Sequence, residues 1–346
     1  MKTIIKSINM LLAGLPLLFV FSAVAQRVET IPYGDMDRWV TRHVKESRII
    51  GGHEKKCYSV GPVREIFSSE PCPNPGGSPW ATSNVVAKVM GITKVSNAVY
   101  PDARGAGKCA KLTTEIDNCK AVGIIDINVL VAGTLFLGTM EEPIKSTKSP
   151  YSKMDMGWPY TKRPGALQFD YKLVVPAEGG RVYSSGFGKS KTMPGTDRAE
   201  VFILLQRRWE DSAGKLHAKR VGTGRELLAR STNGWVNRHQ LDVHYGDITG
   251  KPFYRSNMGL IPTEKSYYSR NSRGELVPVH EEGWDDASAT PTHMLVMFSA
   301  GSGEPYVGTP GLTLWVDNVG LVFGPGNETV AMSDEQSYVG NVDISE

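Results

Sequence analysis

The segment GALQFDYKLVVP, Gly165 to Pro176, decides the fold class of this chain. Large apolar residues stand at every second position, so that an extended strand would carry on one face Leu167, Phe169, Tyr171, Leu173 and Val175. Because successive side chains of a strand point to opposite faces, this period predicts a strand with one core face and one wetter face. Similar runs recur between clusters of Gly, Pro, Asn and Ser at 124–131, 134–137, 199–207, 236–244 and 294–299. With little helical periodicity, the pattern predicts an all-β chain built as a β-sandwich.

Two segments depart from this pattern. Residues 245–291 form a long polar stretch, which predicts an elaborated loop region that is either functional or mobile. Residues 325–346 contain five acids and no base, which is typical of a loosely held acidic C-terminal tail. We therefore expect one domain over residues 26–324, followed by this tail.

The first residues, MKTIIKSINMLLAGLPLLFVFSAVAQ, have the form of a secretory signal peptide. Lys2 and Lys6 precede a short apolar run that ends in small residues at Ala23 and Ala25, which predicts a signal peptide over residues 1–25. Nothing later in the chain resembles a transmembrane helix. We expect an exported protein, periplasmic or at the cell surface, that does not span the membrane.

The charge balance indicates which partners to expect, and the cysteine content indicates whether disulfides form. Thirty-nine Lys and Arg stand against 36 Asp and Glu, and the leader holds two of the lysines, which leaves 37 (39 − 2) against 36. This balance disfavours nucleic acid as a partner. Four cysteines in an exported chain predict disulfides, and pairing of neighbours would join Cys57 to Cys72 and Cys109 to Cys119, although three connectivities are open.

Carboxylates offer the one catalytic chemistry that the motifs leave open. The chain has neither a GxSxG nucleophile elbow nor an HExxH zinc motif. Glycosidases use two acids, and the cluster HEEGWDD, His280 to Asp286, supplies the weak candidates Glu281, Glu282, Asp285 and Asp286. The alternative, a solvated acidic loop, is favoured because charge runs are usually exposed.

Aromatic residues in turn-like contexts point to carbohydrate. Sugars stack their C–H faces on aromatic rings, with polar neighbours bonding the hydroxyl groups. The candidate carbohydrate-binding residues are Trp158, Tyr160, Trp235, Trp284 and Tyr306. Taken singly, each is more often an aromatic at the rim of a core than a ligand platform.

The strand TLWVDNVGLVF, Thr313 to Phe323, raises a separate question. Strict alternation would place Trp315, Asp317 and Val319 on one face, while both faces are apolar. A carboxylate inside such a strand needs a compensating partner, since burying an isolated charge is costly.

The C-terminal segment resembles a known family. HMLVMFSAGSGEPYVGTPGLTLWVDNVGLVFG, His293 to Gly324, is similar to the C-terminal signature of the putative carbohydrate metabolism domain family of secreted Bacteroides-type proteins. AGTLFLG at Ala132 to Gly138, followed by YTKRPGALQFDYKLVVP, is similar to the family's central block, and PYGDMDRW at Pro32 to Trp39 looks like its opening strand. The core signature covers about residues 80–324.

The resemblance implies a jelly-roll β-sandwich similar to carbohydrate-binding modules. Many such sandwiches hold a structural calcium ion between their first and last strands, and the resemblance suggests Asp317 together with Asp35 or Asp37 as tentative ligands. The alternative for Asp317, slightly favoured, is a carboxylate at a bulge that accepts backbone N–H bonds or pairs with an arginine. Beyond calcium, no cofactor is expected.

These observations favour a secreted glycan-binding or glycan-processing accessory protein of a polysaccharide-utilisation type system, with a glycan or polysaccharide as its partner. A non-catalytic role is favoured. The alternatives are a glycoside hydrolase that uses a carboxylate pair and a surface or adhesion protein that binds a protein partner.

Overall fold

The architecture is taken from a computed structural model of the chain. It describes residues 26–72, 77–121, 125–177, 180–302 and 305–324. The expected signal peptide and the acidic tail lie outside the described residues.

Strands make up almost all of the regular structure. In chain order they are β1 (Arg27–Thr30), β2 (Trp39–Lys45), β3 (Glu54–Val60), β4 (Arg64–Phe67), β5 (Trp80–Thr82), β6 (Val85–Val89), β7 (Ile92–Ser96), β8 (Val99–Arg104), β9 (Gly107–Ala121), β10 (Ile125–Ala132), β11 (Thr134–Met140), β12 (Met154–Met156), β13 (Trp158–Pro159), β14 (Ala166–Val174), β15 (Val182–Tyr183), β16 (Ser185–Phe187), β17 (Lys191–Thr192), β18 (Ala199–Glu210), β19 (Leu216–Leu228), β20 (Val236–Asp242), β21 (His244–Tyr245), β22 (Tyr268–Arg270), β23 (Leu276–Trp284), β24 (His293–Ser299), β25 (Val307–Gly308) and β26 (Thr313–Phe323). The described residues also include four short 3-10 helices, Arg48–Ile50, Pro150–Lys153, Ser256–Met258 and Thr263–Lys265. Among the same residues there is no α-helix, so the all-β prediction is confirmed.

Two large sheets pack face to face. The first has eight strands, in the order β16-β10-β9-β26-β14-β20, with β1 beside β26 and β8 beside β9. The second has ten, in the order β13-β24-β18-β19-β23-β22-β12-β11-β5, with β21 beside β19. An additional pairing of β24 with β11 closes seven strands of the second sheet into a ring. Smaller sheets are formed by β17-β15-β25, by β3-β2-β4 and by the hairpin β6-β7.

The main core lies between the two large sheets. Leu167, Phe169 and Leu173 of β14 are fully buried there, as the alternation in GALQFDYKLVVP predicts. Phe169 meets Phe298 of the opposite sheet edge to face, with ring centroids 5.1 Å apart, a geometry that aromatic pairs prefer. These contacts across the two layers confirm the β-sandwich.

A bulge in the last strand explains why both faces of TLWVDNVGLVF are apolar. Leu314 and Val316 point into the core, but so do Val319 and Leu321, which strict alternation would place on the other face. The change of phase occurs at Asn318, whose φ of +49° lies in the left-handed region, and the pairing with β14 shifts register there. The register shift lies next to Asp317, as the favoured alternative of a bulge predicts, so strict alternation does not hold beyond Val316 and Asp317 faces away from the core.

The polar stretch 245–291 is more ordered than a loop region. It contains two of the 3-10 helices and the antiparallel pair β22-β23, which extends the ten-stranded sheet because β23 lies parallel to β19. On the face of β18 and β24 that is turned away from the sandwich core, a second apolar cluster joins Phe202 and Leu295 to Ile261 and Tyr267 from this stretch. The elaboration therefore covers a sheet face that would otherwise be exposed.

Candidate functional site

A cleft of about 900 Å³ beside the second apolar cluster is the candidate site. Its walls come from β6, β7, the ends of β9 and β10, the segments 144–154 and 256–267, and the ends of β18, β19 and β24. Most of the lining is aliphatic, with hydroxyl groups and charged side chains between the apolar patches. Cofactor and ligand sites are commonly clefts of this size and composition.

Three tyrosines line the cleft. Tyr151 and Tyr267 pack edge to face with centroids 5.8 Å apart, and the Tyr267 ring also lies against Phe202 of the second apolar cluster. Tyr306 is half-buried, its hydroxyl donates to the Thr147 carbonyl oxygen, and burial raises its pKa to about 12. The rings are fixed by these contacts, as a stacking surface requires.

The two acidic side chains of the cleft lining are both in ion pairs. Glu200 on β18 accepts a hydrogen bond from Arg225 Nε at 2.7 Å. Asp117 on β9 lies 2.8 Å from Lys94 Nζ. In both pairs the side chains are at most one-fifth exposed, so each carboxylate is neutralised by a neighbouring cation.

Only one of the five predicted carbohydrate-binding aromatics lies in the cleft, namely Tyr306. Trp158 and Tyr160 pack against the sandwich core. The guanidinium carbon of Arg104 lies 3.8 Å from the ring centroid of Trp235. The guanidinium carbon of Arg220 lies 5.7 Å from the ring centroid of Trp284. The structure does not bring the five residues together.

The predicted carboxylate cluster is not a loop. Glu281 and Glu282 lie on β23, and Asp285 and Asp286 directly follow it. A strand sends neighbouring side chains to opposite faces, so these acids cannot converge as a loop cluster would. None of the four is among the residues that line the cleft.

Each of these acids has a partner within the chain. Glu282 contacts His217, Asp285 contacts Arg207, and Asp286 accepts hydrogen bonds from Ser288. The Glu281 side chain is 0% exposed, as is its partner, Arg220. Burial alone would raise the pKa of Glu281, but the Arg220 charge and the hydrogen bonds to the carboxylate outweigh burial and lower that pKa. Glu281 is therefore held as an anion, which does not suit a proton donor.

Asp317 is compensated by an arginine. Arg104 Nη1 lies 2.6 Å from Asp317 Oδ2, and the Asn318 backbone N–H donates to Asp317 Oδ1 at 2.7 Å. The same guanidinium also bonds Asp170 on β14, opposite the bulge. These contacts match the alternative that the sequence favoured.

The calcium ligands that the resemblance suggests do not form a cluster. Asp37 Oδ1 accepts a hydrogen bond from the Lys108 backbone at 2.7 Å, and Asp35 lies 4.0 Å from Arg38. Across the part of the chain that the structure describes, no three His, Cys, Asp or Glu side chains are placed to hold a metal ion. With Arg104 against Asp317, the residues do not fit a calcium ion as the resemblance suggests.

The expected disulfides are not formed, since all four cysteines are free. Cys109 and Cys119 stand ten positions apart on the same strand, β9, which separates their Cα atoms by roughly 33 Å at about 3.3 Å per residue. A disulfide needs less than about 7 Å, so this pairing is excluded. Cys57 is buried, and its sulfur lies 3.8 Å from Arg42 Nη2.

The sequence did not single out most of the cleft residues. Tyr151, Tyr267, Glu200 and Arg225 come from segments far apart in the chain, and no motif connects them. The one local signal was the adjacent pair Tyr267 and Tyr268 within an otherwise polar stretch.

Three comparisons with known proteins show what the chain is similar to. A family model described as "Putative carbohydrate metabolism domain" matches residues 62–251. Two similar solved structures are described as putative glycoside hydrolases, from Bacteroides thetaiotaomicron and Bacteroides vulgatus. Each is 15% identical to this chain with a TM-score of 0.40. The match to the Bacteroides thetaiotaomicron protein covers 79% of this chain and 76% of that protein. The match to the Bacteroides vulgatus protein covers 85% of this chain and 94% of that protein. The search of curated proteins found no match.

Within the described ranges, no helix has the length and apolar character to cross a membrane.

Proposed function

The chain belongs to the putative carbohydrate metabolism domain family, and from that premise we propose that it is an exported accessory protein that binds a glycan in the cleft without cleaving it. It would act in the periplasm or at the cell surface, as part of a polysaccharide-utilisation type system. The single observation that supports this proposal best is the cleft of about 900 Å³ with its three tyrosines.

The lining suits a sugar chain. Sugar rings have apolar C–H faces and polar edges, so a site that holds them needs fixed apolar surface with polar groups nearby. Tyr151 and Tyr306 supply rings, with the buried Tyr267 packed against Tyr151, and Ser146, Thr147 and neighbouring hydroxyl groups supply hydrogen-bonding partners.

Binding is favoured over hydrolysis by the state of the carboxylates. A glycosidase needs one carboxyl group that can donate a proton and a second that acts as base or nucleophile. Glu200 and Asp117, the two acids of the lining, are each paired with a cation. Both carboxylates are thus engaged by a cation of the chain, whereas a glycosidase needs its two carboxyl groups directed at the scissile bond.

A glycan array followed by calorimetry tests the proposal. The purified protein is compared with Tyr306→Asn and with Phe67→Ala. Asparagine is chosen at position 306 because Tyr306 has a φ of +67°, a conformation that asparagine tolerates. Phe67 is 72% exposed on β4, outside the cleft, so its removal is the matched control for loss of an aromatic ring.

We expect the array to identify a glycan, Tyr306→Asn to weaken its binding about tenfold or more, and Phe67→Ala to leave it unchanged. Prolonged incubation should release no new reducing ends. Release of reducing ends would favour the glycoside hydrolase alternative. A folded protein that binds no glycan would favour a protein partner.

A further inference from the structure

We infer that the glycan held in the cleft is anionic, carrying carboxylate or sulfate groups. This inference rests on the proposed function and names the substrate class of the same site. The observation behind it is the uneven distribution of charge between the cleft and the rest of the chain.

The described residues that line the cleft include seven basic side chains and two acidic ones, a net charge of +5 (7 − 2). The whole chain of 346 residues carries only +3. The positive charge of a nearly neutral protein is therefore concentrated at the candidate site, where it raises the local concentration of anions.

Both acids of the lining are already neutralised within the cleft. Lys94 pairs with Asp117, and Arg225 pairs with Glu200. The five remaining basic residues of the lining are Lys145, Lys148, Lys153, Arg181 and Lys265. No carboxylate of the lining is left to repel an anionic chain.

Four of these five cations are available for a ligand. Within the described part of the chain, Lys145, Lys148, Lys153 and Arg181 have no ion pair, and the first two are exposed. Arg181 Nη1 donates to the Pro194 carbonyl oxygen, whereas its Nε is buried without a hydrogen-bond partner among the described residues. The Arg181 charge is therefore not neutralised by a carboxylate of the described residues.

The arrangement matches the two parts of an acidic sugar. A carboxylate or sulfate accepts short charge-assisted hydrogen bonds from guanidinium and ammonium groups. The C–H faces of the same chain pack on the tyrosines and the aliphatic floor. A neutral glycan would use only the second set of contacts.

The experiment uses pairs of glycans that differ only in charge. Polygalacturonate is compared with its methyl ester, and chondroitin sulfate with desulfated and carboxyl-methylated chondroitin, by calorimetry at about 50 mM and about 500 mM NaCl. The protein is compared with the double variant Lys145→Gln/Lys148→Gln. Lys108→Gln is the matched control, because Lys108 is exposed on β9 about 30 Å along the strand from Asp117.

We expect at least one anionic polymer to bind about tenfold or more tightly than its neutral partner, and high salt to weaken that binding by a similar factor. The double variant should lower the affinity and reduce its salt dependence, and Lys108→Gln should change neither. Equal affinity for the neutral forms, or binding of neutral array glycans alone, would overturn the inference and leave the proposed function intact. Binding of anionic lipid vesicles or acidic peptides without any glycan would overturn both.

Discussion

Removing the Glu281 charge should destabilise the fold, because Glu281 and Arg220 form an ion pair with both side chains 0% exposed. The carboxylate accepts hydrogen bonds from Arg220 Nε at 2.7 Å, from Gln206 Nε2 at 2.6 Å and from the Ile261 backbone N–H at 2.7 Å, besides a second bond from Arg220. Glu281→Gln keeps the volume but leaves the Arg220 charge buried without its counter-ion.

The expected loss in the free energy of unfolding is about 3–5 kcal/mol, the usual cost of breaking one side of a buried ion pair. Glu282→Gln is the matched control on the same strand. Glu282 is 47% exposed and pairs with His217, so its loss should cost less than about 1 kcal/mol. Urea unfolding followed by tryptophan fluorescence measures both values.

A double-variant cycle measures the coupling free energy between Glu281 and Arg220. Its single variants are Arg220→Met and Glu281→Leu, and the double variant removes both charges. The double variant should therefore lose about 2 kcal/mol less in the free energy of unfolding than the sum of these two single losses. Additive losses, or a Glu281→Gln variant as stable as Glu282→Gln, would refute the structural role. A fully stable Glu281→Gln variant that lost a measurable glycosidase activity would make Glu281 catalytic instead.

Three further predictions concern His293, the cysteines of β9 and Asp317. Burial and the nearby Arg208 lower the pKa of His293 to about 4, so the free energy of unfolding should fall as the pH drops from about 6.5 towards 4. His293→Asn should lose about 2 kcal/mol less than the unmodified protein between pH 7 and pH 5. Equal losses in both proteins would contradict this prediction. Peptide mapping after alkylation without reduction should show no Cys109–Cys119 disulfide, and finding that bridged peptide would contradict the strand assignment. A chelator should leave the melting temperature unchanged because the Asp317 carboxylate is already paired with Arg104. A clear drop in the melting temperature would restore the calcium hypothesis.

The fold class could be predicted because alternation survives wherever a strand is regular. The period of two in β14 identifies its core face directly. In β26 simple alternation fails after Val316, because the left-handed residue Asn318 shifts the phase. The carboxylate inside an apolar strand favoured a bulge at Asp317, but the register of a bulge depends on two paired strands, and one strand read alone does not give it.

The candidate site was less predictable for a related reason. Its lining joins segments that lie up to about two hundred residues apart, so their meeting depends on the sheet topology. HEEGWDD illustrates the limit. A charge run usually indicates a solvated loop, but Glu281 lies on a strand, and its buried side chain forms an ion pair with Arg220 of the neighbouring strand. Asp317 was interpretable because a carboxylate next to core residues requires a partner, although the sequence did not identify Arg104 as that partner.

The most direct test of the central claim, that the cleft is the glycan site, is amide hydrogen exchange with and without a glycan selected by the array. We expect slower exchange in the cleft segments 144–154 and 256–267, with no change in β4 or at Asp285 and Asp286. Protection confined to peptides outside the cleft, with the cleft segments unchanged, would contradict it.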